Sequence, residues 1–317
     1  MGARAIAAAA VCGLSTVAAA QTYPDRPIQV MVGWAPGAAV DTMVRAVSEE
    51  MSRTLGQRLI VVNRAGASGT IAFAAVAAAA PDGYTLAAGP VHSINVAGHA
   101  MKGKPLEVDS FEYVCQTFLN DFTITVAESS PYKTIRDLII AMKAAPGKLT
   151  YGQLGPASIP NLAMAEFLQQ TSTTAVGVNF RGDAEVIPAL LSGNIDIGVS
   201  SLGSVIPQWP KLRVLAIFGE KRNAMMPDLP SLAEQGIRMS PNRGINGFMA
   251  PKGTPAAVLA KLRSSCASAV RSESVQSLAK RMHGGAELLE GEAFAAAVRA
   301  DYEVKGEIIR RLNIEAN

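Results

Sequence analysis

The hydrophobic positions along this chain follow two alternating patterns. Short apolar runs rich in β-branched and aromatic residues are typical of strands, and longer segments with an apolar residue every three to four positions are typical of helices. The predicted strands span residues 28–32, 59–62, 84–88, 112–118, 122–127, 149–151, 175–179, 195–199 and 214–218. The predicted helices span residues 41–55, 70–80, 135–145, 160–171 and 183–192. Strands that alternate with helices over short connections predict an α/β fold with parallel or mixed sheets.

The same pattern indicates how the chain divides. Residues 255–317 are predicted to be mainly helical, with breaks at Gly284, Gly285 and Gly291. No low-complexity linker and no repeat interrupts the sequence, so we expect the chain to pass between two lobes in strands, near residues 118–125 and 240–250. These crossings predict one lobe made of residues 21–122 and 242–317, and another made of residues 123–241.

Residues 1–20 have the pattern of a secretory signal sequence. Arg4 supplies a positive start, residues 5–17 form an apolar stretch, and the alanines that end at Ala20 are a small-residue cleavage site. A membrane anchor is the alternative, but it needs about 20 strongly apolar residues, and this stretch is shorter and mostly alanine. Lipidation of Cys12 is a second alternative, for which the two residues before the cysteine are a poor match. We therefore expect export to the periplasm.

Composition limits the classes of partner. The chain has 317 residues, of which 49% are hydrophobic and 17% are charged, which suits about two domains with sizeable cores. The net charge of +3 comes without a basic run, so neither nucleic acid nor an anionic membrane surface is indicated as a partner. No segment after the first 20 residues is apolar over a length that could span a bilayer, so we expect a soluble mature protein.

Two cysteines remain after removal of the signal sequence. Cys115 and Cys266 lie 151 positions apart, in a predicted strand and a predicted helix. Pairing is possible in an oxidising compartment, but two buried free thiols are the state that we predict.

The most specific candidate site follows the first predicted strand. Residues 33–41 read Gly-Trp-Ala-Pro-Gly-Ala-Ala-Val-Asp and lead into a helix, with Asp41 predicted as its N-cap. Small side chains let a ligand approach the backbone, and a helix start offers unpaired N–H groups and a positive dipole end. The candidate ligand-binding residues are Trp34 as an apolar wall, Pro36, Gly37, Ala38, Ala39, Val40 and Asp41. The alternative is a tight turn that only packs.

A second loop repeats this design about a hundred residues later. Residues 149–161 again run from a strand through small residues into a helix. Two helix starts of this kind suggest a cleft that grips an anion from both sides. The candidate ligand-binding residues of this loop are Gln153, Gly155, Ala157, Ser158 and Asn161.

Four other loops carry candidates for which a structural role is the open alternative. Ser68 and Thr70 could cap a helix, and His92 and Ser93 could be part of a wall. Arg181 could lie on the surface beside an Asp183 cap, and Ser200 could belong to a turn. These candidates are Ser68 and Thr70, His92 and Ser93, Arg181, and Ser200.

Several catalytic and metal-binding patterns are absent from the sequence. Neither a P-loop nor a Gly-x-Gly-x-x-Gly fingerprint occurs, and the histidines lack partners at metal-ligand spacing. Residues 130–133 match Ser-x-x-Lys, but the companion motifs of serine hydrolases are missing. We therefore predict that the protein is not an enzyme and needs neither a cofactor nor a metal.

The order and spacing of several short segments resemble a known family. The segments are Tyr-Pro-Asp-Arg-Pro-Ile at 23–28, Val-Asn-Arg at 62–64, Ala-Pro-Asp-Gly-Tyr-Thr-Leu at 80–86, Pro-Gly-Lys-Leu-Thr-Tyr-Gly at 146–152, Leu-Arg-Val-Leu-Ala at 212–216, Lys-Arg at 221–222, Pro-Asp-Leu-Pro-Ser at 227–231 and Ala-Pro-Lys-Gly-Thr-Pro at 250–255. Together they make residues 23 to about 314 similar to the extracytoplasmic solute receptors of tripartite tricarboxylate transporters, also called Bug receptors.

The resemblance implies a two-lobed periplasmic binding protein, type II-like, with two mixed sheets and a ligand cleft between the lobes. It further implies that the two strand-to-helix loops close on one small carboxylate through backbone amides, hydroxyls and ordered water. The receptor would then deliver the ligand to the subunits of a separate membrane permease. We expect it to act as a monomer.

The chain departs from the family in the two loops. The first usually reads Pro-Phe-Pro-Ala-Gly-Gly-Gly-Thr-Asp in the family, whereas here Ala38, Ala39 and Val40 replace two glycines and a threonine. In the second, Pro156 and Pro160 each remove an N–H donor. Fewer donors and more apolar surface favour an aromatic or branched acid with one carboxylate over a small hydroxy-dicarboxylate.

Two other functions remain as alternatives. A sensor that presents its ligand to a membrane kinase would use the same fold and the same cleft. A secreted hydrolase of a small carboxylate ester is much less favoured, because no nucleophile and base converge in the sequence.

Overall fold

The computed structural model describes residues 23–100, 106–155, 158–240 and 242–314. The predicted signal sequence, Cys12, Pro156 and Ala157 lie outside the described residues. Two mixed sheets, each covered by helices, organise the described part of the chain, so the α/β fold with mixed sheets is confirmed. The part built on the first sheet is called the first lobe below, and the part built on the other sheet is called the second lobe.

The first sheet has six strands in the order β11-β4-β10-β3-β1-β2. Its strands are β1 (Ile28–Val32), β2 (Leu59–Asn63), β3 (Thr85–Pro90), β4 (Phe111–Asn120), β10 (Gly244–Pro251) and β11 (Leu289–Glu290). Strands β1, β2 and β3 are parallel to one another, whereas β10 pairs antiparallel with both β3 and β4. Because helices cover its faces, β1 is buried at four of its five residues.

The second sheet has five strands in the order β7-β6-β8-β5-β9. Its strands are β5 (Phe122–Ala127), β6 (Thr150–Gln153), β7 (Val176–Asn179), β8 (Ile197–Ser201) and β9 (Leu212–Ile217). Strand β6 is parallel to β7 and β8, and β5 is antiparallel to β8 and β9. The chain crosses between the sheets through Asp121, from β4 to β5, and returns from β9 to β10, as the sequence predicts.

Helices connect and cover these strands. They are α1 (Ala39–Leu55), α2 (Thr70–Ala77), α3 (His92–Asn95), α4 (Ala97–Ala100), α5 (Ile135–Ala144), α6 (Ile159–Thr171), α7 (Asp183–Leu191), α8 (Leu202–Val205), α9 (Ala256–Arg271), α10 (Glu273–Arg281) and α11 (Gly291–Leu312). Helix α1 buries Met43, Val44, Val47 and Met51 on one face and ends at a left-handed Gly56, the usual helix stop.

The end of α11 reaches from the first lobe into the core of the second. Ile308 and Ile309 pack in the same cluster as Phe167 of α6. Nearby, the buried carboxylate of Glu166 forms an ion pair with Arg311 and accepts a hydrogen bond of 2.6 Å from Ser240 Oγ. The two lobes are therefore tied together beside the crossing strands, and the boundaries predicted for them stay a prediction.

The two cysteines are joined, which corrects the prediction of free thiols. Helix α9 packs on β4, and this contact brings the Cα atoms of Cys115 and Cys266 to 6.4 Å, with a disulfide between them. That separation lies within the usual range for a disulfide. The sequence spacing of 151 residues carries no sign of this packing, so the pairing depends on the tertiary structure.

Candidate functional site

Two adjoining cavities lie between the lobes, where the loops after β1, β2, β6 and β7 meet. The inner cavity measures about 20 Å³ and the outer cavity about 240 Å³, and both are lined by Trp34 and Leu154. The other residues of the inner cavity are Ala38, Ala39, Val40, Pro90, His92, Asn120, Phe122, Asp183 and Ser201. Those of the outer cavity are Gly33, Gly66, Ala67, Ser68, Gly69, Gly155, Asn179, Phe180 and Arg181.

Trp34 forms a wall that both cavities share. Its ring is buried and makes edge-to-face contacts with Phe73 and with His92, at centroid distances of 6.3 and 5.5 Å. Its carbonyl oxygen accepts a hydrogen bond of 2.9 Å from Asn63 Nδ2. The indole is therefore held in place by packing on one side and by the backbone on the other.

The first loop delivers the start of α1 to the inner cavity. Ala38, and not Asp41, is the N-cap, with extended backbone and no side-chain cap, which corrects the prediction for Asp41. Ala39, Val40 and Asp41 thus form the first turn of the helix, where no earlier turn of the helix accepts their N–H groups. Ala39 and Val40 line the inner cavity, so the first turn of the helix lies beside it.

Pro36 and Gly37 make no such contribution to the cavities. Proline has no N–H group, and both residues are exposed. The N–H of Gly37 donates to Asp41 Oδ2 at 2.9 Å, and the N–H of Ala38 donates to Ala35 O at 3.4 Å. Of the candidate residues in this loop, those at the helix start itself therefore keep unpaired N–H groups.

Asp41 holds this loop in shape. Its carboxylate accepts hydrogen bonds from the Gly37 amide, from Arg45 Nε at 3.0 Å and from Asn63 Nδ2 at 2.8 Å. Burial alone would raise the pKa of Asp41, but the bonds from Arg45, Asn63 and Gly37 outweigh it and lower the pKa. All of these hydrogen-bond partners belong to the first lobe, so the role of the Asp41 side chain is structural.

The loop after β2 touches the second lobe directly. Ser68 Oγ lies 3.4 Å from the carbonyl oxygen of Leu154, to which it donates. Ser93 Oγ donates to Ser68 O at 2.9 Å, and Thr70 Oγ1 donates to Ala67 O at 2.8 Å. Ser68 therefore faces the outer cavity, whereas Ser93 and Thr70 support its loop from behind.

The second predicted loop is turned largely into its own lobe. Ser158 is the N-cap of α6, accepting from the Asn161 N–H at 3.3 Å, and it donates to Gly155 O at 2.6 Å. Asn161 Oδ1 accepts from Tyr151, and Gln153 donates to Asn179. Ala157 lies outside the described residues. Among the candidates of this loop that the structure describes, Gly155 is the one that lines a cavity.

The loop between β7 and α7 contributes two charged residues. Arg181 is exposed and lines the outer cavity. Asp183 lines the inner cavity with 6% of its surface exposed, and it is the first residue of α7 rather than the cap, which is Gly182. The prediction of an Asp183 cap is therefore wrong, and sequence analysis missed Asp183 as a residue of the cleft because a cap explained it.

The carboxylate of Asp183 is bonded on one side only. Its Oδ2 accepts from Ser201 Oγ at 2.6 Å and from the Ser201 N–H at 3.2 Å, and Ser204 Oγ lies 2.8 Å behind Ser201 Oγ. Within the described ranges neither its Oδ1 nor the hydroxyl of Ser200, a candidate from the sequence, has a hydrogen-bond partner. Burial raises the pKa of Asp183, and the serine donors counteract it.

His92 is the other polar group in the inner cavity. It is 3% exposed, and both ring nitrogens lack a hydrogen-bond partner among the described residues. Burial, aided by the nearby Lys305 ammonium, lowers the pKa of His92 to about 3. The imidazole is therefore neutral at pH 7 and offers one N–H donor and one acceptor.

A larger cavity of about 410 Å³ opens beside the crossing strands, away from the helix starts. Its arginines are already paired, Arg243 with Asp121 and Arg222 with Glu234, each at 2.9 Å. We therefore place the candidate site in the two cavities described first, where unpaired donors and acceptors converge.

Neither a metal centre nor a membrane span was found in the described part of the chain. No group of three or more His, Cys, Asp or Glu side chains there could hold a metal ion. None of the helices that the structure describes combines the length and apolar character needed to cross a membrane.

Comparison with known proteins decides the family. The sequence profile of the tripartite tricarboxylate transporter family receptors, TctC, matches residues 43–314. The chain belongs to this family. Its members are periplasmic solute receptors and not enzymes, so the predicted family and the predicted absence of catalysis are confirmed.

Individual relatives support the same assignment for this receptor. A Cupriavidus necator protein, the "UPF0065 protein in gbd 5'region", is 34% identical over 264 residues, which are 82% of this chain and 79% of that protein. The structure matches the periplasmic binding protein BugD with a TM-score of 0.87 at 26% identity, covering 92% of this chain and 99% of BugD. The predicted two-lobed fold of a periplasmic binding protein is therefore confirmed.

A third relative is similar in fold alone. MatC from Rhodopseudomonas palustris, with bound malate, matches with a TM-score of 0.83 at 24% identity. The match covers 90% of this receptor and all of MatC.

Proposed function

We propose that this receptor binds one small organic carboxylate in the cleft between its lobes and delivers it to a tripartite tricarboxylate-type permease. The observation that carries the proposal is the start of α1, where Ala39 and Val40 bring unpaired N–H groups to the inner cavity. A helix start of this kind stabilises an anion through hydrogen bonds and through its dipole. MatC, which shares the fold, carries malate.

The walls of the cleft favour a ligand with an apolar body. Trp34, Leu154 and Phe180 line the outer cavity, which is about twelve times the volume of the inner one. The carboxylate would therefore lie at the start of α1 and the body in the outer cavity. This arrangement supports an aromatic or branched acid with a single carboxylate.

Affinity requires that the lobes close. Micromolar binding needs about 8 kcal/mol, and each charge-assisted hydrogen bond contributes about 1.5–3 kcal/mol where water is excluded. A cleft open to water would weaken these bonds. The contact between Ser68 Oγ and Leu154 O supports a closed state, so ligand access would need the lobes to separate.

Export and transfer to a permease complete the proposal. The signal-like residues 1–20 support export, and membership of the receptor family supports a membrane partner. We expect the receptor to meet the permease as a monomer.

The proposal is tested by replacing one donor at the helix start. Proline fits the first position of a helix and lacks an N–H, and Ala38 before it already has the extended backbone that proline requires. Ala39→Pro should therefore weaken carboxylate binding about tenfold with little change in stability. Ala256→Pro, at the first position of α9 and outside the cleft, is the matched control.

The measurement is isothermal titration of the mature receptor with the best acid from a thermal-shift panel. The panel contains monocarboxylates with branched or aromatic bodies, malate and citrate, each also supplied as the uncharged amide. We expect an apolar monocarboxylate to rank first and the amides not to bind. A preference for malate or citrate would overturn the assignment of a single carboxylate with an apolar body, and unchanged affinity in Ala39→Pro would overturn carboxylate binding at the start of α1.

A further inference from the structure

The inner cavity has a charge that a site for a simple anion should not have. Among the described residues that line it, Asp183 is the one with a charged side chain, and that charge is negative. His92 is neutral at pH 7, and the Lys305 ammonium is bonded to Asn242 and Asp301. A carboxylate placed at the start of α1 would therefore meet a second carboxylate across a small cavity.

Two features of the surroundings of Asp183, the donors to its Oδ2 atom and its position in a helix, favour the ionised carboxylate. Its Oδ2 receives two donors from Ser201, one of them at the short distance typical of a charged acceptor. Asp183 also lies in the first turn of α7, a helix of nine residues, where a negative charge is stabilised by the dipole. Its Oδ1 is buried in the cavity wall and has no partner within the described ranges.

A buried oxygen of this kind needs a donor. Leaving a charged acceptor unsatisfied away from water is costly, and Asp183, with 6% of its surface exposed, can receive little help from solvent. The ring nitrogens of the neighbouring His92 are also without partners in the described structure. Asp183 and His92 both line the cavity beside the start of α1.

We propose that the ligand is an α-amino carboxylate with an apolar side chain, and that Asp183 selects its ammonium group. The carboxylate lies at the start of α1, the ammonium on the same carbon donates to Asp183 Oδ1, and the side chain extends along Trp34 into the outer cavity. This inference rests on the proposed function and adds the second group that the cleft recognises. It explains how a negative side chain is compatible with an anion site, since the ligand brings the compensating charge.

Matched ligands that share one body test the inference. L-phenylalanine, L-phenyllactate and 3-phenylpropanoate carry an ammonium, a hydroxyl or hydrogen at the same position, and leucine with its hydroxy and deamino analogues gives a second series. Titration calorimetry at pH 7 should give the amino acid at least a hundredfold higher affinity than the unsubstituted acid in the preferred series. The hydroxy acid should lie between them, because it donates without a charge.

Asp183→Asn should reverse this order. Its amide oxygen can keep the bonds from Ser201 while its NH₂ faces the cavity, so the unsubstituted acid should now bind at least as tightly as the amino acid. Asp228→Asn removes an exposed carboxylate of the second lobe and should leave the order unchanged. A thermal melt confirms that both variants fold.

The outcomes separate this inference from the proposed function. If unsubstituted acids bind wild type best, a protonated Asp183 donates to the ligand instead, and the inference fails while carboxylate binding stands. The inference also fails if Asp183→Asn keeps the wild-type order. Binding of no member of either series would overturn the inference, while the proposed function would be decided by the wider panel of acids.

Discussion

Two buried aspartates, one in each lobe, follow a strand and lie in the first turn of a helix, yet their carboxylates are bonded very differently. Asp41 receives the Gly37 amide, Arg45 and Asn63, whereas Asp183 receives Ser201 on one oxygen and leaves the other unpaired. Their pKa values consequently shift in opposite directions. Position in a helix alone therefore does not define the role of an aspartate, since the donors around each carboxylate separate the structural Asp41 from Asp183, which we propose contacts the ligand.

Neutralising the two aspartates should have opposite effects on stability. Asp41→Asn removes the ion pair with Arg45 and weakens the bonds of a buried network, so we expect a loss of about 2–3 kcal/mol in the free energy of unfolding. Asp183→Asn relieves a buried charge that is half satisfied, so stability should be unchanged or higher. Urea unfolding of both variants at pH 7 measures the difference. Equal losses would remove the distinction between the two residues.

The pH dependence of stability tests the same comparison independently, because the two aspartates should affect it in opposite directions. The pKa of Asp41 is lowered by folding, so its contribution is complete above about pH 4 and is lost as the pH falls through the folded pKa. The pKa of Asp183 is raised, so wild type should gain stability relative to Asp183→Asn as the pH falls towards 4. His92 in the same cavity, with a pKa of about 3, stays neutral over this range. Unfolding curves between pH 7 and pH 4 would show the Asp183 trend, and their extension below pH 4 would show the loss of the Asp41 contribution.

The contact between the lobes can be tested at Gly155. A Cβ atom added there would lie 2.6 Å from Ser68 Oγ of the other lobe, and its φ of +99° also disfavours a side chain. Gly155→Ala should lose stability because of backbone strain. It should also lose at least tenfold in ligand affinity, because the added methyl group would keep the two lobes apart. The loss of affinity is measured by calorimetry.

Gly147→Ala separates the two causes. Gly147 has a φ of +69° but no atom within 4 Å of the added Cβ, so it should show the strain without the loss of affinity. Small-angle scattering should detect compaction on ligand binding in wild type and in Gly147→Ala. Full affinity and normal compaction in Gly155→Ala would mean that the lobes do not close at this contact.

The strands and the mixed sheets could be predicted because local patterns determine them. Strand β1 was predicted with its observed bounds, and the crossings near Asp121 and before β10 follow from apolar runs. The sequence pattern predicts the start of α1 two residues late, because Asp41 resembles a cap in sequence although its carboxylate accepts from the Gly37 amide. Strand β8 continues to Ser201, two residues past the predicted end, because β5 pairs with it.

The composition of the site was harder to predict than its location. The loops after β1 and β6 were identified from their small residues, but the side chains that face the cleft depend on how the lobes meet. Asp183 and Leu154 reach the inner cavity through tertiary packing, and no local pattern distinguishes such an aspartate from a cap. The disulfide between β4 and α9 is likewise a consequence of contacts between distant segments.

The smallest predicted effect concerns the start of α6, which the sequence presents as the partner of the start of α1. In the structure Ser158 caps this helix and Pro160 in its first turn has no N–H. Ser158→Ala should therefore cost about 1 kcal/mol of stability, as loss of a helix cap does, and should leave ligand affinity within about twofold.

Thr134→Ala at the cap of α5 is the matched control, because Thr134 caps its helix by the same kind of bond, to Asp137 N, on the same lobe. Both variants should lose similar stability in urea unfolding and both should keep the affinity for the best acid. If Ser158→Ala alone weakens binding severalfold, the start of α6 belongs to the binding site after all. The ligand would then be held between two helix starts, and the asymmetry in which α1 supplies donors and α7 supplies the acceptor would be lost.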